Sequence, residues 1–321
     1  MTAGFYDYLL AVTLMFIAVQ LLRARDVLTG IILFIFFGIL VSFAWVQLHA
    51  PDIALVEAVI GSGLTGALFL ASLGQIESRQ FPMPARMGRR DLRVICIAAL
   101  AVTGVLGAGV LALPKYTGGL TPAVYGSLTQ SGVKNPVTAV ILNFRGYDTL
   151  LEIGVLFLAV LAVFALNGLR PLEYDPQRRP ASRVLVAFLH ILNPLMVVTA
   201  AYILWAGADA PGGAFQSGAM LAGVGILMLL GGVTLPVTVD NPWLRMGYVS
   251  GFAGFLAAGL GMMVLGQRFL EYPAGAAKPV IFVVELLATI SIALILLAMF
   301  AGCAGFLRTE AAPNSAEEQP S

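Results

Sequence analysis

The sequence predicts an all-α, polytopic integral membrane protein with about nine transmembrane helices, its N-terminus outside and its C-terminus cytoplasmic. Three observations carry this expectation. Of 321 residues, 59% are hydrophobic and only 11% are charged, against about 25% charged residues in soluble domains. The apolar residues gather in runs close to the length that crosses the hydrocarbon, about 20 residues. Polar, proline-bearing breaks separate those runs.

The runs lie at roughly 4–22, 27–48, 52–74, 93–113, 147–168, 184–206, 212–235, 244–266 and 280–305. Met1 to Leu10 has no basic flank and no clear cleavage site, so the first run reads as a retained helix. Arg23-Ala24-Arg25-Asp26, His49-Ala50-Pro51-Asp52, Asp209-Ala210-Pro211-Gly212-Gly213 and Asp240-Asn241-Pro242 are the breaks, and proline is well placed where a helix starts. Such short links make neighbouring helices antiparallel. Loop by loop, about 13 of the Lys and Arg residues fall on one side and about 5 on the other, which orients the richer side toward the cytoplasm.

Two longer breaks, Glu77 to Arg93 and Arg170 to Arg183, divide the chain into expected blocks. These are a three-helix domain at 1–80, a two-helix element with an outer-surface segment at 81–172, a four-helix domain at 173–310, and an acidic tail at 311–321 expected to be disordered. The outer piece Val137–Phe144 is apolar but too short to span, and is expected to lie flat at the surface or to re-enter.

Net charge is +1, so nothing points to nucleic acid. Cys96 and Cys303 lie far apart in apolar runs without metal or redox spacing, and read as small packing residues. No flavin or metal ligand set is legible, so no cofactor is expected. Ionisable residues inside spans are costly and are therefore functional candidates. Glu57, Glu152, Glu285 and His190 are those residues. The three glutamates follow soon after the starts of spans running inward from outside, which puts them at one level and permits a proton or cation station. They serve equally well, on the sequence alone, as interhelical hydrogen-bonding groups. His190 precedes Asn193-Pro194, a kink that could line an ion path.

Asp52, Asp148 and Asp209 stand at helix starts and read as caps. Gly61-Ser62-Gly63-Leu64-Thr65-Gly66 has the letters of a dinucleotide loop but lies mid-helix without a preceding strand, so a cofactor site is rejected. Ala58, Ser62 and Gly66, and Ala214, Gly218 and Ala222, recur every fourth residue as close-packing faces. Their partner is left open, another chain included.

Specific strings carry a resemblance. Pro51-Asp52-Ile53-Ala54-Leu55-Val56-Glu57, with the glycines Gly61, Gly63 and Gly66 after it, resembles a three-helix domain at the C-terminal end of the A subunit of Mrp-type multisubunit sodium/proton antiporters. It is similar also to a separate small membrane component of membrane-bound hydrogenases. The stretch from Asn135-Pro136 through Arg145, Asp148 and Glu152 resembles the two-helix element that follows. Pro211-Gly212-Gly213-Ala214-Phe215-Gln216-Ser217-Gly218 resembles the Pro-Gly-Gly-Gly-Phe-Gln turn of the B subunit, with Ala214 in place of the third glycine and Ala208 where a histidine is expected. Glu285 falls where the family tends to have an aspartate.

The resemblance implies a membrane subunit of a sodium/proton antiporter that joins the tail of the A subunit to the B subunit. It also implies partners: large antiporter-like subunits and small C-, E-, F- and G-type subunits, with Na+ and H+ as transported ions in a cell membrane. Two alternatives stand beside it, an ion-translocating arm of a redox-driven complex and a purely structural bridge. An intramembrane enzyme would need a nucleophile or paired acid and base, which a lone membrane histidine does not supply.

Overall fold

A computed structural model describes residues 4–78, 88–113, 119–166, 183–233, 235, 241–273 and 275–303. The helices are α1 (Phe5–Arg23), α2 (Val27–Gln47), α3 (Pro51–Val56), α4 (Thr65–Ser78), α5 (Arg89–Ala112), α6 (Thr121–Ser127), α7 (Pro136–Ala139), α8 (Gly146–Leu166), α9 (Arg183–Ala206), α10 (Ala214–Leu230), α11 (Pro242–Val264) and α12 (Ala277–Cys303). A π-helical segment, Glu57–Leu64, joins α3 to α4, so that these form one continuous third span; a second, Val140–Phe144, extends α7. Among the described residues there is no strand. The chain is an all-α, multi-pass membrane protein.

Among the described residues, eight helical spans are long and apolar enough to cross a bilayer. The ninth expected span is shorter than the run that suggested it. α10 has 17 residues, because Gly212 and Gly213 stand at φ +150° and +122° and cannot start a helix, while Gly231 and Gly232 end it. Pro211 therefore precedes a turn, not a helix. Pro51 and Pro242 do open α3 and α11.

α12 is the hub. It packs on α10, α11 and α8 and also touches α4 and α9, and its Ile281, Ile292, Ile295 and Phe300 are fully buried. Burial here is against protein, since apolar surface facing lipid gains nothing from helix association and close van der Waals fit must hold the bundle. Glycine supplies that fit. A Cβ at Gly218 of α10 would meet Ile292 Cβ at 2.9 Å and the Thr289 carbonyl oxygen at 3.0 Å, and one at Gly251 of α11 would meet Ser291 Cβ at 2.9 Å. Where α2 crosses the third span, a Cβ at Gly38 would stand 2.9 Å from Ser62 Cβ, and the space above Gly66 is taken by Ile35. The small-residue faces around Ser62 and Gly66 and around Gly218 are thus satisfied within this chain, which removes the need for another chain at those faces. Ala58 and Gly63 remain exposed.

The segment between α5 and α8 folds against the protein. Thr138, Ala139 and Leu142 are buried, Thr138 Oγ1 donates to the Gly207 carbonyl at 2.6 Å, and Asn135 Nδ2 donates to the Ala210 carbonyl at 2.9 Å. Backbone N–H groups of Lys134 and Asn135 both reach the Ala208 carbonyl. This piece therefore docks on the α9–α10 loop. By contrast, among the described residues α5 makes no extensive contact with another helix, and its Cys96, read from sequence as a packing residue, is exposed on this chain. The side chain of Cys303, the tail at 311–321 and much of the 79–93 and 170–183 breaks lie outside the described residues.

Candidate functional site

The start of α3, the turn before α10 and the first half of α12 meet in one buried polar cluster. Asp52, 8% exposed, does not cap its own helix in the way its position suggests; its Oδ1 accepts from the backbone N–H of Gly212 at 3.0 Å. Gln216 Nε2 donates to the Asp52 carbonyl at 3.4 Å. Glu285, 2% exposed, lies against the turn that starts α10. That is the favourable place for a carboxylate, since the first N–H groups of a helix have no internal partner and its N-terminus carries positive potential.

Gly213 makes the approach possible. A Cβ there would stand 2.9 Å from Glu285 Oε1 and 3.7 Å from Gln216 Oε1. Glu285 Oε2 and Ser217 Oγ are buried without a hydrogen-bond partner, although buried polar atoms are nearly always paired. Thr289, one turn beyond Glu285, is also buried and directs Oγ1 toward the Ala214 carbonyl at 3.5 Å. The cluster thus holds a buried carboxylate oxygen without a hydrogen-bond partner among the described residues.

Glu57 stands on the third span, facing α2. It opens the π-helical segment and is half-buried. Its carboxylate lies back over Gly61, where a Cβ would collide with Oε1, and near Gly38 of α2, where a Cβ would stand 3.4 Å from Oε1. The widened helix is held by Ser62 Oγ, which lies within hydrogen-bonding distance of the carbonyls of Glu57 (3.1 Å) and Ala58 (3.0 Å), and by Thr65 Oγ1 donating to the Ile60 carbonyl at 2.7 Å. π-helical turns leave backbone groups less regularly paired and recur at functional positions.

The remaining candidates lie apart. Glu152 is exposed on α8 in this chain. His190 is exposed on α9, and its recorded polar contact, Nδ1 with the Val186 carbonyl at 2.8 Å, stays within its own helix. Asp148 pairs with Arg145 at 2.6 Å, both more than half exposed. Asp209 is no simple cap either: it bridges Lys134 at 3.4 Å and Lys278 at 3.1 Å. Those lysines, mainly Lys278 through its hydrogen bond, hold the Asp209 carboxyl below the usual carboxylate range. Phe215 packs, half-buried, against the core.

Sequence reasoning did not single out Ser217, Thr289, Asn135 or Thr138. Thr289 could have been found from its i,i+4 spacing to Glu285, which shares a helix face. Asn135 stands before Pro136 at a helix start, a capping signal. Ser217 carries no such signal.

Three sequence families match consecutive stretches: the MbhD family of MBH over residues 12–78, the MbhE family of MBH over 87–181, and MnhB, "Domain related to MnhB subunit of Na+/H+ antiporter", over 184–308. The chain carries all three regions in one polypeptide.

The resemblance to Mrp-type antiporter subunits read from the motifs therefore holds along most of the length. Antiporter subunit mnhA2 of Staphylococcus aureus strain JH9 is 26% identical over 178 residues, 54% of this chain, and the counterpart in strain COL matches to the same extent. The chain spans about a fifth of the length of those relatives, 21%. Among solved structures, a chain of the Mrp complex from Dietzia sp. DQ12-45-1b shares the fold, with TM-score 0.74 and 20% identity over 100% of this chain and 36% of that one. A chain of the membrane-bound sulfane sulfur reductase, an archaeal respiratory membrane complex, matches with TM-score 0.51 and 27% identity, over 65% of this chain and 97% of that one.

Proposed function

We propose that this chain is a membrane subunit of a multisubunit monovalent cation (Na+)/proton antiporter of a cell membrane, contributing to the ion or proton path and to assembly. The observation that carries this reading is the order of the three matched regions, which runs through MbhD-like, MbhE-like and MnhB-related sequence without a break longer than a loop. Its partners are then large antiporter-like subunits and small C-, E-, F- and G-type subunits. Lys278, in the first turn of α12, pairs with Asp209, so a lysine facing a buried glutamate would come from such partners.

Within the path, Glu57 and Glu285 are the proton- or cation-carrying groups. Glu285 has the free carboxylate oxygen beside the Gly213 turn, and Glu57 lies in the notch between Gly61 and Gly38. Glu152, exposed on α8, joins the path only where another subunit covers it. His190, exposed on α9, likewise joins it only where another subunit covers that face. Fluorescent-dye measurement of ΔpH collapse by added Na+ in everted vesicles tests the reading. Glu57→Gln and Glu285→Gln should each lower exchange while the complex still co-purifies. Normal exchange in both variants removes the path; loss of the complex in both makes the glutamates structural.

A second reading rests on the similarity to the sulfane sulfur reductase chain, 97% of which is covered. On this reading electron transfer in a respiratory complex drives the membrane module. Co-purification from native membranes separates the two: redox subunits bearing iron–sulfur centres favour this second reading, and their absence beside large antiporter-like subunits favours the first.

A further inference from the structure

The link between α1 and α2 closes one end of a groove of about 400 Å³, walled by Leu21, Val27, Ile31, Phe34 and Phe69 and rimmed by Arg25 and Asp26. Its size falls in the range of ligand sites, about 300–1,000 Å³. Phe34 and Phe69 meet edge to face at 5.5 Å and tie α2 to α4 at its floor. The two rim charges are not equivalent. The Asp26 carboxylate is committed to the first turn of α2, accepting from Thr29 N–H at 2.7 Å, and that bond holds its carboxyl below the ordinary range. Arg25 is exposed and, among the described residues, has no ion pair. Arg23, two residues away, ends α1 and is exposed as well.

An apolar trough under exposed arginines at the end of a span has the polarity of a phospholipid: acyl chain below, phosphate at headgroup level. Basic pockets between transmembrane helices are a known mode of anionic headgroup recognition. Gly30 keeps the trough open, since a Cβ there has only Ala24 Cβ nearby, at 3.9 Å. We propose that this groove is a binding site for one anionic phospholipid, its acyl chain lying between α1, α2 and α4 and its phosphate on Arg25. The assignment stands apart from the antiporter reading, because it uses none of the glutamates.

The full chain, reconstituted in phosphatidylcholine nanodiscs containing a minority of phosphatidylglycerol, tests this by mass spectrometry of the lipid retained after detergent exchange into pure phosphatidylcholine. One phosphatidylglycerol per chain should survive exchange. Arg25→Gln should lower retention about fivefold, the worth of one surface arginine, and Gly30→Leu should lower it by filling the trough. Arg183→Gln, at the start of α9, should leave it unchanged. Equal loss in the Arg183 variant means general attraction to charged lipid and overturns the site. So does full retention in both groove variants. If Gly30→Leu fails to fold by circular dichroism, Arg25→Gln decides alone.

Discussion

The carboxylate of Asp52 accepts the backbone N–H of Gly212 across 160 residues of sequence. That bond fastens the start of the third span to the turn that sets Gly213 against Glu285. The MbhD-like and MnhB-like regions therefore share one buried joint, and the geometry around Glu285 depends on both.

Replacing Asp52 by leucine should leave Gly212 N–H buried without its acceptor and destabilise the chain by about 1–3 kcal/mol, the cost of a buried donor left unpaired. Asp52→Asn keeps an acceptor oxygen and should cost less. Thermal unfolding in detergent ranks the two. Equal losses would place the effect in charge, not in the bond.

Gly218→Ala should destabilise by about 1–3 kcal/mol, because the added methyl meets the Thr289 carbonyl at 3.0 Å, a backbone atom that cannot swing away. Gly104→Ala on α5, where a Cβ meets nothing within 4 Å, should be neutral or stabilising through helix propensity. The comparison reads out in the same unfolding experiment.

Gly61→Ala separates position from presence. The new methyl would occupy the space of the Glu57 carboxylate, a flexible group that can move aside, so stability should change by less than about 1 kcal/mol. Exchange in vesicles should fall nearly as far as in Glu57→Gln. Unchanged exchange would mean that the carboxylate's place over Gly61 is irrelevant to the path.

The Asp209 bridge predicts a pH dependence. Its folded-state carboxyl titrates below the ordinary value of 3.8, through Lys278 first and Lys134 second. Its contribution is therefore present above that value and is lost as pH falls through the folded-state titration. Unfolding temperature should drop at the acid end in the native protein, with that part of the drop absent in Asp209→Asn. The group is exposed, so the effect should be small and weaken with salt.

Much of the molecule is legible in the amino acids because lipid imposes a simple rule. Runs of apolar residues must become helices to satisfy their own backbone, and the expected spans at 27–48 and 184–206 correspond closely to α2 (Val27–Gln47) and α9 (Arg183–Ala206). Motif strings around Glu57, Arg145 and Pro211 were enough to name the lineage that the matched regions then bore out. α10 departs from its hydrophobic run because hydropathy is blind to positive φ at Gly212 and Gly213.

What the sequence by itself determined was therefore composition-driven: an all-α membrane protein, the places of its spans, and the few ionisable residues inside them. Tertiary structure alone decided which of those residues meet. It buried Glu285 against the α10 start, left Glu152 and His190 exposed on this chain, and turned Asp52 from a helix cap into a long-range anchor within the chain. The reason is physical. Helix formation is written in local spacing, whereas in lipid no hydrophobic force sorts one apolar face from another, so helix partners are chosen by steric fit at positions such as Gly38 against Ser62 and Gly218 against Ile292.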